Sequence, residues 1–172
     1  MFFKKAEKKS SKREQTACFT GHRKISDNID FVAQKTSQEI EKLIKQGYLY
    51  FGAGGARGFD MLASFEVLKL KEMYPNIHLI LVLPFPNQYE KDRGWTQKEI
   101  DNFNFLKSKA SKVVTLAEEY SSGVYYRRNR HLVDSSSVCI AYQTNNNSGT
   151  SYTTNYASSQ KCKVINIAKL LY

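Results

Sequence analysis

No stretch of this chain approaches the roughly 18 consecutive apolar residues that a bilayer-spanning helix requires. Residues 1–15 contain no apolar segment of the kind found in a secretory signal. The expected location is therefore the cytoplasm. Cysteine is scarce, and Cys18, Cys139 and Cys162 lie far apart, each embedded in an apolar run. That spacing supports neither a disulfide framework nor a CxxC metal site, so the three read as reduced core thiols and no bound metal is expected. Internal repeats, coiled-coil heptads and long linkers are also absent.

What is present is ordinary for one globular domain. The chain has 172 residues, 41% hydrophobic and 24% charged, long enough to bury roughly two thirds of its unfolded surface in one core. The net charge is +10, but it is unevenly spread. Residues 1–15 hold six Lys or Arg against two Glu and supply +4 of it, leaving +6 on the body. The expected organisation is thus a basic, flexible tail over residues 1–15 and a folded domain over 16–172. The tail is either a solvated terminus or a contact for nucleic acid or anionic lipid. A basic body suits phosphorylated ligands without naming one.

After the tail, short apolar runs alternate with longer segments of helical period, the pattern of a parallel sheet covered on both faces. Strands are predicted at Thr16–Thr20, Tyr48–Phe51, His78–Leu83, Lys112–Leu116, Ser137–Tyr142 and Lys163–Ile167. Between them, Ile29, Val32, Ile40, Leu43 and Ile44 form one apolar helical stripe, and Met61, Leu62, Phe65 and Leu68 a second. Three more helices are predicted around Ile100–Leu106, Val124–Val133 and Thr150–Ser159. The fold class is α/β, a Rossmann-like three-layer fold with a mostly parallel sheet of about six strands.

Such sheets bind ligands beyond the carboxyl ends of their strands, and the polar signals here follow strands directly. The first strand ends in Thr20-Gly21-His22-Arg23, which reads either as a phosphate-binding turn or as a plain strand-to-loop turn carrying a surface Arg. The second runs into Gly52-Ala53-Gly54-Gly55-Ala56-Arg57-Gly58-Phe59-Asp60, where glycines allow backbone amides to approach an anion at a helix N-terminus. No Gly-Lys-Ser/Thr follows, so this is not a Walker A loop, and Arg57 stands where GxGxxG needs glycine. The third strand ends in Leu83-Pro84-Phe85-Pro86 rather than in the acid that grips a ribose, which argues against standard NAD-dependent hydride transfer. Pro84 and Phe85 either present an aromatic face to a base or nicotinamide, or form a rigid loop over the core.

Tyr125-Tyr126-Arg127-Arg128-Asn129-Arg130 opens the fourth helix, where arginines oppose the helix dipole. They imply an external anion, a carboxylate partner, or a solvent-facing basic patch. Ser148-Gly149-Thr150, at the start of the fifth helix, is a second candidate phosphate cradle.

In combination, Thr20-Gly21-His22-Arg23, Gly54-Gly55-Ala56-Arg57-Gly58-Phe59-Asp60, Arg128-Asn129 with Leu132-Val133-Asp134, and Ser148-Gly149-Thr150 resemble the SLOG superfamily, more narrowly its YpsA-like branch, over about residues 16–168. The resemblance implies a Rossmann-like fold that binds nucleotides or NAD- and ADP-ribose-like molecules. Thr20, Gly21, Arg23, Gly54, Gly55 and Gly58 would line one half of the site, and Arg128, Asn129, Gly149 and Thr150 the other. Other branches include the DNA-processing protein A group, which binds single-stranded DNA, and the LOG phosphoribohydrolases. LOG enzymes carry a catalytic Glu separated by two residues from Pro-Gly-Gly-x-Gly-Thr, whereas this chain has Thr153 at that position. A hydroxyl cannot stabilise an oxocarbenium-like centre as a carboxylate does. The expectation is therefore a domain that binds or senses a phosphorylated, nucleotide-derived ligand, with no resident cofactor and, by resemblance, as a homodimer. The alternatives are a hydrolase or transferase at an N-glycosidic bond, with Asp60, Glu118 or Asp134 as candidate acids, and a single-stranded nucleic-acid-binding module.

Overall fold

The structure, a computed structural model, describes residues 10–172. Six strands, β1 Thr16–Gly21, β2 Tyr50–Ala53, β3 His78–Leu83, β4 Lys112–Thr115, β5 Val138–Tyr142 and β6 Lys163–Asn166, form one sheet in the order β4-β3-β2-β1-β5-β6. Every pairing is parallel. Five helices connect them: α1 Ile29–Lys45, α2 Phe59–Met73, α3 Gln97–Lys109, α4 Val124–Asp134 and α5 Gly149–Ser159. Among the described residues no helix is long and apolar enough to cross a membrane.

The two-residue period of a strand sorts side chains to opposite faces. Ala17 and Phe19, Leu79, Leu81 and Leu83, and Val138, Ile140 and Tyr142 enter one core with α1, α2 and α3. Cys18, Val82 and Cys139 enter a smaller core with Leu132 and Val133 of α4, Ala157 of α5 and Cys162. The sheet is thus the middle layer of three. All three cysteines are buried and free, and the Cys139 thiol beside Cys18, with burial, pushes that thiol's pKa up. In α1, Val32, Ile40 and Leu43 are buried, but Ile29, expected on the same stripe, is 58% exposed. It occupies the first helical position, where Asn28 caps the helix by accepting from the amides of Asp30 and Phe31.

Arg13–Gln15 form a 3₁₀ turn, Leu49 N–H donates to Gln15 O at 2.9 Å, and an Arg13 Nη donates to Gln160 O at 3.0 Å. Arg13–Gln15, expected in the flexible tail, are thus tied to the domain. Residues 1–9 of that tail lie outside the described residues. β1 is flanked by β2 on one side and β5 on the other, so the chain reverses its direction of sheet growth between β1 and β5. That reversal opens a crevice at the carboxyl ends of the strands.

Candidate functional site

A cavity of about 150 Å³ sits at this reversal point. β1 contributes Thr20 and Gly21 to it, with Arg23 from the turn that follows, and the loop after β2 contributes Gly54, Ala56 and Asp60. Arg128 and Asn129 enter from α4, and Gly149 and Thr150 from the first turn of α5. A larger cavity of about 350 Å³ lies over β2, β3 and β4 beside α4, with Ile80, Val82, Val114 and Leu132 on its floor and Lys12, Arg13, Lys112 and His131 among its lining. The smaller cavity is the one that gathers the polar residues following β1, β2 and β5, and it is the candidate site.

The loop between β2 and α2 does not hold its amides open for an external anion. Gly54 N–H donates to Asp60 Oδ2 at 3.0 Å and Ala56 N–H donates to the same oxygen at 2.9 Å. Asp60, at the start of α2 and only 4% exposed, is the anion that this loop binds. Burial pushes its carboxyl above the usual carboxylate range, and the Arg128 charge and the loop amides pull it back.

Arg128 is the second buried charge of the site, at 6% exposure. Its guanidinium donates through Nη1 to Gly54 O and through Nε to Asn129 Oδ1 at 2.8 Å, and Gln88 Nε2 donates to the same Gly54 carbonyl at 2.8 Å. Burial lowers the Arg128 pKa and the Asp60 charge raises it again. A Cβ on Gly54 would lie 2.6 Å from Arg128 Nη1, so only glycine lets the guanidinium reach that carbonyl. Nη2 makes no hydrogen bond among the described residues, and the group lines the cavity. Opposite it, Ser148 caps α5 in a capping box with Ser151, which spends the Ser148 hydroxyl. The amides of Gly149 and Thr150 then open the helix at the cavity wall with no partner among the described residues. A buried fork of N–H donors thus faces the positive end of a helix.

A family model for the YspA SLOG family matches residues 18–170. The chain belongs to this family. It is 29% identical over 131 residues to the SPbeta prophage-derived protein YoqJ of Bacillus subtilis strain 168, covering 69% of this chain and 75% of that one. To the UPF0398 protein of Halalkalibacterium halodurans it is 26% identical over 110 residues, 63% of this chain and 57% of that one. Among solved structures it is similar to DNA processing protein A of Helicobacter pylori, a study of that protein's single-stranded DNA binding mode, with TM-score 0.64 and 19% identity over 88% of this chain. The same protein of Streptococcus pneumoniae matches with TM-score 0.64 and 16% identity over 89% of this chain. The chain spans 64% and 50% of those two proteins, and the likeness is one of fold.

Several residues expected at the site of this SLOG domain stand elsewhere. Gly55 turns inward with φ +67, its Cβ position 2.7 Å from Leu83 Cδ2 and 3.0 Å from Phe103 Cε2, so it serves the core. Gly58 backs onto the Arg23 carbonyl. Arg57 pairs with Glu99 Oε2 at 3.1 Å, and the same oxygen accepts from Thr96 N at the start of α3. Phe85 is 4% exposed and packs edge-on against Tyr120 and Tyr125; with Pro84 it covers the core and offers no ring to the cavity. Arg127 faces outward from α4, beside a separate cavity. His22 lies behind the wall, where its Nε2 accepts from Thr144 N at 2.9 Å, and burial lowers its pKa. Of the candidate acids, Glu118 is exposed on the loop after β4, and Asp134 accepts from Tyr156 Oη at 2.7 Å on the outer surface.

Phe19, Tyr125 and Leu132 line the cavity without having been expected there. Tyr125 carries the most information, since the Arg128 guanidinium lies 5.8 Å from its ring centroid. Its spacing three residues before Arg128 on one helix was the available signal.

Proposed function

We propose that this SLOG domain binds a phosphorylated, nucleotide-derived ligand, NAD- or ADP-ribose-like, at the carboxyl edge of its sheet. A phosphate would lie between Arg128 Nη2 and the first turn of α5, with Thr20 and Arg23 at the rim. The observation that carries this reading is the buried Arg128 guanidinium, fixed on two of its nitrogens and open to the cavity on the third. Positioning such a group in advance removes much of the ordering cost of binding an anion.

The reading is of binding rather than of N-glycosidic hydrolysis. Asp60 Oδ2 is spent on two loop amides, Glu118 and Asp134 stand outside the cavity, and Thr153 donates its hydroxyl to Gly149 O at 3.1 Å within α5. A second reading, binding of single-stranded nucleic acid, is favoured by the fold likeness to DNA processing protein A and by the net charge of +10.

A thermal-shift and calorimetric titration against ADP-ribose, NAD and AMP tests the first reading. A ligand at 100 times its Kd adds about 2.7 kcal/mol to the stability of the fold. Arg128→Lys keeps the charge but loses the planar fork, so it should weaken binding at least tenfold. If no phosphorylated nucleotide shifts the wild-type melting curve, the reading is wrong.

A further inference from the structure

Helix α4 presents two faces to the carboxyl edge of the sheet. Tyr125, Arg128 and Asn129 face the phosphate cavity, whereas Tyr126, Arg127 and Arg130 face a shallow depression of about 360 Å³ closed by Gly123 and by Tyr152 of α5. Both sites are walled by the first two turns of α4 and the first turn of α5, so they adjoin along one edge and one extended ligand can span them.

The outer face is built from exposed aromatic surface and cations. Tyr126 is 50% exposed, and its ring stands at 70° to that of Tyr152 with centroids 4.8 Å apart. Tyr152 is fixed from behind, because Arg130 Nε donates to its Oη at 2.9 Å. The Arg130 guanidinium also lies 5.6 Å from the Tyr156 ring, and Tyr156 Oη donates to Asp134 at 2.7 Å. This chain of contacts holds the aromatic pair in place before anything binds. Arg127 makes no ion pair among the described residues and sits in the first turns of α4, where the helix dipole disfavours a cation. An uncompensated arginine in that place, next to a half-exposed ring, suits a ligand that brings both a negative charge and a flat aromatic face.

We propose that Tyr126 and Tyr152, flanked by Arg127 and Arg130, form a stacking platform for an unpaired base of a single-stranded nucleic acid whose neighbouring backbone phosphate occupies the Arg128 cavity. The proposal rests on the reading of that cavity as a phosphate site. Stacking suits single strands because every base has a face to offer, and arginines beside the ring track the backbone.

The test is fluorescence anisotropy of a fluorescein-labelled twelve-residue oligo-dT with the full chain, at 50 and 200 mM NaCl, alongside calorimetry with ADP-ribose. Tyr126→Ala should weaken oligo-dT binding roughly tenfold, and Tyr126→Phe, which keeps the ring, should stay within about twofold of wild type. Arg127→Gln should reduce the slope of log K against log salt by about one. ADP-ribose affinity should be unchanged in Tyr126→Ala. If Tyr126→Ala binds oligo-dT as wild type does, or wild type binds none at 50 mM NaCl, the platform is refuted. The phosphate reading is judged separately by the loss of ADP-ribose binding in Arg128→Lys.

Discussion

Asp60 and Arg128 hold one residue from opposite ends: the carboxylate accepts the Gly54 N–H at 3.0 Å and the guanidinium donates to the Gly54 carbonyl. The two charges lie 68 positions apart in sequence, each at 6% exposure or less, and each offsets part of the other's desolvation. Between them they fix the path of the chain from β2 to α2 and aim the remaining nitrogen of Arg128 into the cavity.

Asp60→Ala should therefore damage the fold as well as the site. It strips the acceptor from two loop amides and leaves a buried guanidinium without its counter-charge. Leaving a buried amide without its acceptor costs about 1–3 kcal/mol for each group. For a domain of this length that corresponds to a melting temperature lower by about 10 °C, read by calorimetry. A variant that melts within 2 °C of wild type would show that the clasp contributes little.

Much of the fold is legible in the sequence because buried parallel strands are short apolar runs and helices show their stripe. The prediction of β3 at His78–Leu83 coincides with the strand. The sequence pattern puts β2 two residues early, at Tyr48–Phe51 instead of Tyr50–Ala53, because Gly52 reads as the start of a loop. Gly52 is instead a strand residue where α4 comes close, its Cβ position 3.0 Å from Leu132 Cδ2. The site was legible as residue types and illegible as pairs. The glycine-rich loop signals an anion, but nothing local says that the anion is Asp60 of the same chain, or that Arg57 is taken by Glu99, 42 residues on. The first is a local contact that the loop conformation decides, and the second depends on α3 being brought beside the β2–α2 loop.

The glycines of the site should separate by role. Gly55→Ala forces a side chain into a positive-φ position against Leu83 and Phe103, and strain plus overpacking should cost about 2–4 kcal/mol. Gly149→Ala adds a Cβ with nothing within 4 Å at the first position of α5, so stability should stay within about 1 kcal/mol of wild type. ADP-ribose affinity should fall in Gly149→Ala if the phosphate sits against that amide. Chemical denaturation of both variants distinguishes these roles, and equal destabilisation would contradict the assignment.

His22 should make the second half of the site sensitive to pH. Its Nε2 accepts from Thr144 N, which anchors the loop that leads from β5 to Ser148 and α5. Burial lowers the folded pKa below the ordinary value of 6.5, so this contribution to stability is present above 6.5 and is lost as pH falls through the folded pKa. Protonation places a hydrogen on Nε2 and breaks the bond. Ligand affinity and the Thr144 amide shift should therefore change together below pH 6.5. His22→Gln, which offers an amide oxygen at all pH values, should flatten both profiles. A pH response that persists in that variant would place its origin elsewhere.

Restoring a carboxylate at the position where LOG phosphoribohydrolases carry one should not restore their reaction. Thr153 is 3% exposed, its hydroxyl is bonded to Gly149 O inside α5, and it does not line the cavity. A glutamate there would either bury an unpaired charge, at about 2 kcal/mol or more, or push α5 away from the sheet. Catalytic geometry must hold to about half an ångström, so a displaced α5 would also misplace Gly149 and Thr150. Thr153→Glu is thus expected to melt several degrees lower and to release no adenine from AMP and no nicotinamide from NAD above background over hours of chromatographic sampling. Base release by the variant would mean that position 153 can reach the anomeric carbon of a bound nucleotide. Release by the wild type would mean that Asp60 leaves its loop amides to act as an acid, and Asp60→Asn would then abolish that activity.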